Sequence, residues 1–171
     1  MQCFFLTKRI LMTIRPIHQQ DNLALARIIR NSIESLGLPS EGTAHGDPTT
    51  DHLFELFQTP NSFYWIAEEN DIVMGGCGLY PSKGLPEGYC ELVRFFITEK
   101  ARGNGLGKVL MQKTIETALE LGYDSMYLES FPTMESAVHL YKKFGFESLK
   151  SPLGDTGHHA CNVWMKKNLY R

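Results

Sequence analysis

The sequence lacks the features that identify several common classes of protein. Its four cysteines, Cys3, Cys77, Cys90 and Cys161, form no C-x-x-C pair, and no Cys/His cluster has the spacing of zinc ligands. No apolar run approaches the ~20 residues of a membrane-spanning helix. The formal net charge is only −2 and no long run of like charge occurs, so neither nucleic acid nor an anionic membrane is favoured as a partner. These absences predict a protein without a metal, in a reducing, cytoplasmic compartment.

What is present fits one globular domain. The chain has 171 residues, of which 43% are hydrophobic and 21% charged, and it contains no internal repeat or low-complexity tract. We therefore predict a single domain over residues 12–171. Residues 1–11 are predicted to be an upstream extension, because their basic residues follow the apolar part instead of preceding it as in a signal peptide.

Hydrophobic spacing predicts strands and helices along the whole of this domain. Glycines at 75, 76 and 78 predict a bulge in one strand, and Asp51 is predicted to cap a short helix. Strands that come first and then alternate with helices predict an α/β (α+β) fold, in which a mixed sheet carries helices on both faces. The predicted strands are 13–17, 63–68, 72–80, 91–97, 126–129, 146–149 and 161–165, and the longer helices are 21–36, 106–121 and 133–144.

The most informative stretch is a predicted strand, 91–97, followed by a glycine-rich turn and the start of a helix. Such a helix start presents unpaired N–H groups and the positive end of the helix dipole, which suit a phosphate-bearing ligand. A dinucleotide fingerprint is excluded because Lys108 stands where its third glycine would be. A P-loop is excluded because Arg102 and Val109 replace required residues. The alternative to a phosphate-binding loop is an ordinary glycine-containing turn that binds no ligand.

The remaining pattern, Arg-x-x-Gly-x-Gly at 102–107, resembles the acyl-CoA pyrophosphate loop of the GNAT superfamily of N-acetyltransferases. Three further pieces resemble that family in order and spacing: Thr13 to Ile17, Tyr127 to Ser130, and Ala137 to Phe146, which reads A-x-x-L-Y-x-x-x-G-F. The resemblance covers about residues 12–169. It implies a mixed, mostly antiparallel sheet of about seven strands whose fourth and fifth strands splay apart, with acetyl-CoA bound in the split.

The resemblance also implies which residues bind acetyl-CoA as the cosubstrate. The diphosphate would lie on the loop, and the pantetheine arm would pair with the strand before it. Alternatives for two side chains are that Arg102 caps the loop and that Lys108 is a solvated charge. Ser136 stands where many relatives carry an asparagine that contacts the cofactor. The full set is Phe95, Phe96, Ile97, Thr98, Arg102, Gly103, Asn104, Gly105, Leu106, Gly107, Lys108 and Ser136.

Two residues are the candidates for catalysis. Tyr141 matches the family position that protonates the leaving thiolate, and its alternative is a helix tyrosine packed with Phe144. Glu91 is the candidate general base, acting through water, and its alternatives are a solvent-facing side chain or a pair with Arg94. Cys90 lies beside this site, but no activating base is evident in the sequence, so it is not predicted to be a nucleophile.

The acceptor side is the least defined part of the prediction. His158 and His159 are predicted to orient the acceptor or relay its proton, and a solvated loop is the alternative. The loops 37–50, 81–88 and 150–160 are expected to line the acceptor pocket.

The expected function is acetyl transfer from acetyl-CoA to a primary amine of a small molecule or peptide, by direct attack in a ternary complex. One alternative is an acetyl-CoA-binding regulatory module without turnover. Another is an acetyltransferase for protein lysines or N-termini. Whether the protein forms a homodimer is left open.

Overall fold

A computed structural model describes residues 12–170, so the predicted extension over residues 1–11 lies outside the described residues. The seven strands form one sheet in the order β1-β2-β3-β4-β5-β7-β6. Every neighbouring pair is antiparallel except β4 and β5, which are parallel. The predicted fold class is therefore confirmed. The strands are β1 (Met12–Pro16), β2 (Phe63–Glu69), β3 (Ile72–Tyr80), β4 (Tyr89–Ile97), β5 (Ser125–Ser130), β6 (Glu147–Ser148) and β7 (Val163–Asn168).

Helices cover both faces of the sheet, as predicted. On one side, which we call the α1 face, α1 packs Leu25, Ile29 and Ile33 against Tyr64 and Ile66 of β2. The spacing of these three residues places them on one side of the helix. On the other side, the α3 face, α3 and α4 pack against the same sheet through a second core. The helices are α1 (Asn22–Ser35), α2 (Leu53–Leu56), α3 (Leu106–Glu120) and α4 (Glu135–Lys143).

The parallel strands β4 and β5 separate part of the way along their length. They pair from Tyr89 opposite Ser125 to Leu92 opposite Leu128, and no further. β5 continues to pair with β7, whereas residues 93–97 of β4 have β3 on one side only. This stretch, the open segment of β4, confirms the predicted splay of the fourth and fifth strands.

A bulge lies on the open segment. The register of β3 with β2 shifts between Ala67 and Glu68, next to Gly75, which confirms a bulge in the glycine-containing strand. The register of β4 with β3 also shifts, between Gly76 and Gly78, and here the extra residue is on β4. The extra residue is accommodated at Arg94, whose φ of 54° lies in the left-handed region. Such a backbone costs roughly 1–2 kcal/mol in a residue other than glycine. The hydroxyl of buried Tyr64 donates to the Arg94 carbonyl at 2.8 Å and holds this conformation in place.

Two local predictions were wrong. Asp51 does not cap a helix: its carboxylate pairs with Arg30 at 2.7 Å, and the helical turn over 48–52 is capped by Asp47, which accepts from the Thr49 N–H at 2.8 Å. Pro48, fixed in a helix-compatible conformation, places the helix start earlier than expected. The last strand begins at Val163, because Cys161 N–H donates to His158 O in a preceding turn.

Candidate active site

The glycine-rich loop leads from β4 into the first turn of α3. Gly103 and Gly105 have φ values of 80° and 79°, and no atom lies within 4 Å of the Cβ that either would carry. The first helical N–H groups with a partner are those of Lys108 and Val109, which both donate to Gly105 O. Within the described chain, the N–H groups of residues 103–107 have no hydrogen-bond acceptor. The loop therefore offers a run of free donors at a helix N-terminus, which suits a diphosphate.

Gly107 has a different role from the two glycines before it. A Cβ here would lie 3.3 Å from the Leu140 side chain and 3.5 Å from those of Ile97 and Phe95. The missing side chain lets the start of α3 approach α4 and the open segment of β4 closely. The loop is thus fixed next to the place where the two strands separate.

The other residues predicted to bind the cofactor contribute unequally. Arg102 donates from Nε to Ile97 O at 3.1 Å, so its side chain caps the loop in this structure. The Thr98 N–H is already used inside the sheet, because it donates to Met74 O at 2.8 Å. The Thr98 hydroxyl, in contrast, is buried and has no partner within residues 12–170. Lys108 and Ser136 are exposed on α3 and α4, and their roles stay predictions.

A cavity of about 70 Å³ lies at the opening between β4 and β5. Leu92, Phe95 and Tyr141 line it from the core of the α3 face. Ile33 and Val93 line it from the core of the α1 face. Because residues of both cores contribute, the cavity passes through the plane of the sheet. We call it the through-sheet cavity.

Glu91 and His158 meet at this cavity. Glu91 is only 1% exposed and accepts a hydrogen bond from the Ser82 hydroxyl. Its other oxygen lies 3.2 Å from Nδ1 of His158. An ionised carboxylate can only accept, so Nδ1 carries the proton and the lone pair of neutral His158 is on Nε2. Glu91 therefore neither faces solvent nor pairs with Arg94.

The electrostatic setting of His158 differs from that of its neighbour. Burial disfavours the imidazolium, but the hydrogen bond and charge of Glu91 outweigh burial and raise the pKa of His158 above its ordinary value. The His159 side chain is 78% exposed and its nearest acidic partner is Asp155, at 3.9 Å. The structure thus brings His158, and not His159, to the predicted acceptor site.

Glu129 is a cavity residue that the sequence reasoning missed. Its Oε1 accepts from Tyr127 at 3.1 Å and from Thr156 at 2.6 Å. Burial, with the charge of Glu91, raises the pKa of Glu129 against the effect of these two donors. The parallel register sets Glu91 beside Tyr127, so Glu129, two residues on, faces the same side. We call Glu91, Glu129 and His158 the acid–histidine cluster.

Tyr141 lines the same cavity from α4. Its ring packs on those of Phe95 and Phe146, with centroids 6.3 and 6.0 Å away, and not on Phe144 as the packing alternative expected. Tyr141 is only 4% exposed, and its hydroxyl forms no hydrogen bond with another described residue, although the oxygen is not one of the fully buried atoms without a partner. Burial, followed by the nearby Cys77 and Cys161, raises the pKa of Tyr141. The phenol therefore stays protonated at neutral pH and is available as a donor.

The cysteines near the cavity are poor nucleophiles. Cys77, Cys90 and Cys161 are all free, and Cys161 lines the cavity. Burial raises the pKa of Cys90 and of Cys161 to about 12 in each case. Because thiolates are scarce at neutral pH with such values, neither residue is suited to a covalent intermediate.

Of the three loops expected to line the acceptor pocket, 37–50 and 150–160 contribute lining residues, whereas 81–88 contributes none and only contacts loop 150–160 and Glu91. Ala160 N–H donates to Gly42 O at 3.4 Å, which joins the first loop to the third. A Cβ on Gly154 would lie 2.4 Å from Gly84 O, so the second and third loops are in direct contact. Loop 37–50 contributes Leu38, Thr43 and Ala44 to the lining of the cavity. The part of the chain from 12 to 170 contains no group of three potential metal ligands and no helix able to cross a bilayer.

Comparisons with known proteins agree on one family. The family model described as acetyltransferase (GNAT) family matches residues 30–146. The uncharacterized N-acetyltransferase YjgM of Escherichia coli is 36% identical over 157 residues, which cover 91% of this chain and 94% of that protein.

Solved structures share the fold. An acetyltransferase of the GNAT family from Staphylococcus aureus superposes with a TM-score of 0.79 at 20% identity, over 93% of this chain and 99% of that one. The acetyltransferase yncA from Salmonella typhimurium, solved with its cofactor acetyl-CoA, has a TM-score of 0.74 at 18% identity, over 93% and 94%. At these identities the likeness is one of fold.

Proposed function

The chain belongs to the acetyltransferase (GNAT) family, and from that premise we propose that it transfers an acetyl group from acetyl-CoA to a small primary amine. The observation that carries this proposal is the through-sheet cavity. It joins the side of the sheet that holds the glycine-rich loop to the side that holds the acid–histidine cluster. Acetyl-CoA and the amine therefore meet from opposite faces, which suits direct attack in a ternary complex.

Binding of acetyl-CoA uses backbone groups that the protein leaves free. The N–H groups of residues 103–107 receive the diphosphate. The pantetheine arm follows the open segment of β4, where the backbone lacks a neighbouring strand and the Thr98 hydroxyl lacks a partner within residues 12–170. An N–H group near Phe95 to Ile97 polarises the thioester carbonyl, a contribution typically worth ~3 kcal/mol for one donor.

Removal of a proton from the amine falls to His158 in this proposal. The ordinary pKa of an alkylammonium is about 10, so the amine needs a base before it attacks. Neutral His158 accepts the proton on Nε2, while Glu91 fixes the ring and stabilises the imidazolium that forms. Glu91 is then a positioning residue, which refines its predicted role as the base itself. Glu129 lines the same cavity, and its carboxyl group can accept a hydrogen bond from the incoming ammonium.

Tyr141 acts on the departing sulfur. When the tetrahedral intermediate collapses, the coenzyme A thiolate leaves and benefits from a donor within hydrogen-bond distance. The Tyr141 hydroxyl lines the cavity on the α3 face and has no other partner within residues 12–170. The phenol donates to the sulfur as the C–S bond breaks.

The alternatives fit the cavity less well. A regulatory module that only binds acetyl-CoA has no use for a buried acid–histidine cluster next to the thioester. An enzyme acting on protein lysines or N-termini requires an open groove, whereas this cavity has a volume of only about 70 Å³ and is lined in part by loop 37–50. We therefore favour a small-molecule acceptor.

A thiol-release assay tests the proposal. Purified protein is incubated with acetyl-CoA and a panel of small primary amines, and free coenzyme A and acetylated amine are both measured. We expect the two to appear in equal amounts. Calorimetric binding of acetyl-CoA without release of thiol for any amine would favour the regulatory module, and absence of binding would remove the proposal.

Other features of the proposal rest on the sequence. A cytoplasmic location follows from the cysteine pattern, and a homodimer stays open. The limits of the domain are tested by a chain that starts at Met12, for which we expect cooperative thermal unfolding and unchanged acetyl-CoA binding. An unfolded product in circular dichroism would show that residues 1–11 belong to the domain.

A further inference from the structure

Arg94 holds a buried hydrogen-bond donor that the protein does not use. Its side chain is 5% exposed, and Nη2 donates to Asp47 at 2.5 Å and to Thr49 at 3.2 Å. Nη1 is buried and has no partner within residues 12–170. An unpartnered charged donor is costly in a protein interior, and guanidinium is built to bind a carboxylate through both terminal nitrogens. The contact with Asp47 uses only one of them.

The location of this donor points to a ligand. Within residues 12–170, two buried side-chain atoms lack a hydrogen-bond partner, Arg94 Nη1 and Thr98 Oγ1. Both residues follow the point at which β5 stops pairing with β4. Thr98 lies where the acetyl-CoA arm is proposed to bind. Arg94 lines the cavity and is tied to loop 37–50, on the α1 face where the acceptor is proposed to enter.

The acid–histidine cluster and Arg94 place acidic side chains and a positively charged side chain in the lining of the same cavity. Glu91 and Arg94 are three residues apart on β4, and both line the cavity. The positive charge of Arg94 is among the influences that disfavour the imidazolium of His158. The cavity, at about 70 Å³, is less than half of the ~150 Å³ that accommodates benzene in an engineered core. A small ligand with one positive and one negative group fits these conditions.

We infer that the acceptor is a small amino acid, whose carboxylate binds Arg94 Nη1 while its primary amine faces His158. This inference rests on the proposed acetyl transfer and specifies its substrate class. The backbone supports it, because the left-handed conformation of Arg94, held by Tyr64, is a strained state that proteins keep mainly at functional sites.

The test compares alanine with two analogues: alaninamide, in which an amide replaces the carboxylate, and ethylamine, which lacks the carboxyl group altogether. We expect kcat/KM for alanine to exceed that for each of the others at least tenfold, by thiol release with mass-spectrometric detection of the product. The amino group of alaninamide is less basic than that of alanine, so a larger fraction of alaninamide is unprotonated at neutral pH. This difference favours alaninamide as a nucleophile, so a preference for alanine could not be explained by basicity.

Two arginine variants separate the carboxylate contact from the fastening of loop 37–50. Arg94→Gln should lower kcat/KM for alanine at least tenfold, mainly through KM, and leave alaninamide within about twofold. Arg30 also holds the segment around loop 37–50, through hydrogen bonds to Asp51 and to His45 O, but it does not line the cavity. Arg30→Gln is therefore the matched control. We expect Arg30→Gln to keep the preference for alanine. If Arg94→Gln does not fold, the three-amine comparison on the wild-type protein decides alone.

The outcomes distinguish this inference from the function it rests on. Equal acetylation of alanine, alaninamide and ethylamine, or an unchanged preference in Arg94→Gln, would overturn the carboxylate site and leave acetyl transfer intact. Release of thiol with none of the amines would remove the function. In that case thermal stabilisation of the coenzyme A complex by alanine, lost in Arg94→Gln, would still support the carboxylate site, and its absence would remove both.

Discussion

The two sides of the through-sheet cavity differ in the groups they present: backbone groups on one face and side chains on the other. On the α3 face, the proposed cofactor site is one continuous run of backbone, residues 103–107, at the start of a helix. On the α1 face, the proposed acceptor site consists of side chains from separate segments: Glu91 and Arg94 on β4, Glu129 on β5 and His158 in a loop. The first depends on local conformation and the second on long-range packing. Mutations on the two sides should therefore have different effects: on kcat for the acceptor side and on the Kd of acetyl-CoA for the loop.

The largest contrast is expected within the adjacent histidines. His158→Gln should lower kcat about a hundredfold, since general base catalysis typically contributes ~10²–10⁴-fold. His159→Gln is the matched control, because this side chain is exposed and outside the cavity, and it should leave kcat unchanged. Steady-state thiol release with a saturating amine measures both. Equal losses in the two variants would assign the effect to the loop and not to His158.

The pH profile tests how Glu91 acts. In the wild-type protein, kcat/KM should rise as the pH is increased through the raised pKa of His158, because the neutral imidazole is the active form. Glu91→Gln removes the charge that raises this pKa, so the rising limb should move to lower pH while the plateau falls at least tenfold. A plateau that falls without movement of the limb would make Glu91 a purely structural residue.

Tyr141 tests the boundary between the two sides, since it lines the cavity from the α3 face but acts on the reaction. Tyr141→Phe should lower kcat at least tenfold while acetyl-CoA affinity, measured by calorimetry, stays within about twofold. The ring packing on Phe95 and Phe146 is kept by this change. An unchanged kcat would remove the phenol from the mechanism.

The smallest effects are expected from the backbone loop. Gly105→Ala introduces a Cβ at a φ of 79°, a strain of about 1–2 kcal/mol that displaces the free N–H groups. The Kd of acetyl-CoA should rise up to about tenfold with kcat nearly constant. Gly122→Ala, at a φ of 85° beyond the far end of α3 and equally open, should lower stability similarly without affecting Kd. Weaker binding in both would indicate a general loss of stability.

The cofactor side can be predicted from sequence because its information is local. The turn glycines are neighbours in the chain, and their spacing together with Arg102, Lys108 and Val109 excludes the dinucleotide and P-loop motifs. The layered fold follows in the same way from hydrophobic spacing and the order of strands and helices. Helix and strand limits differ from the predicted ones by a few residues, where Pro48 and the turn before Val163 set the boundary.

The acceptor side requires the tertiary structure. Glu91 and His158 are each candidates from the sequence, but their contact joins residues 67 positions apart and depends on how loop 150–160 closes. Glu129 resembles an ordinary strand residue, because the register that aligns β5 with β4 is absent from the sequence pattern. Glycines on β3 predict a bulge in that strand, but the bulge at Arg94 lies on the neighbouring strand.

The passage through the sheet has a kinetic consequence. If the two reactants enter from opposite faces of the sheet, as proposed, neither has to bind or dissociate before the other, and either order of addition is expected. Initial velocities should give intersecting reciprocal plots, and coenzyme A should compete with acetyl-CoA but not with the acceptor. The gap between β4 and β5 would then connect two binding sites on opposite faces of the sheet, and acetyl transfer would require both sites to be occupied.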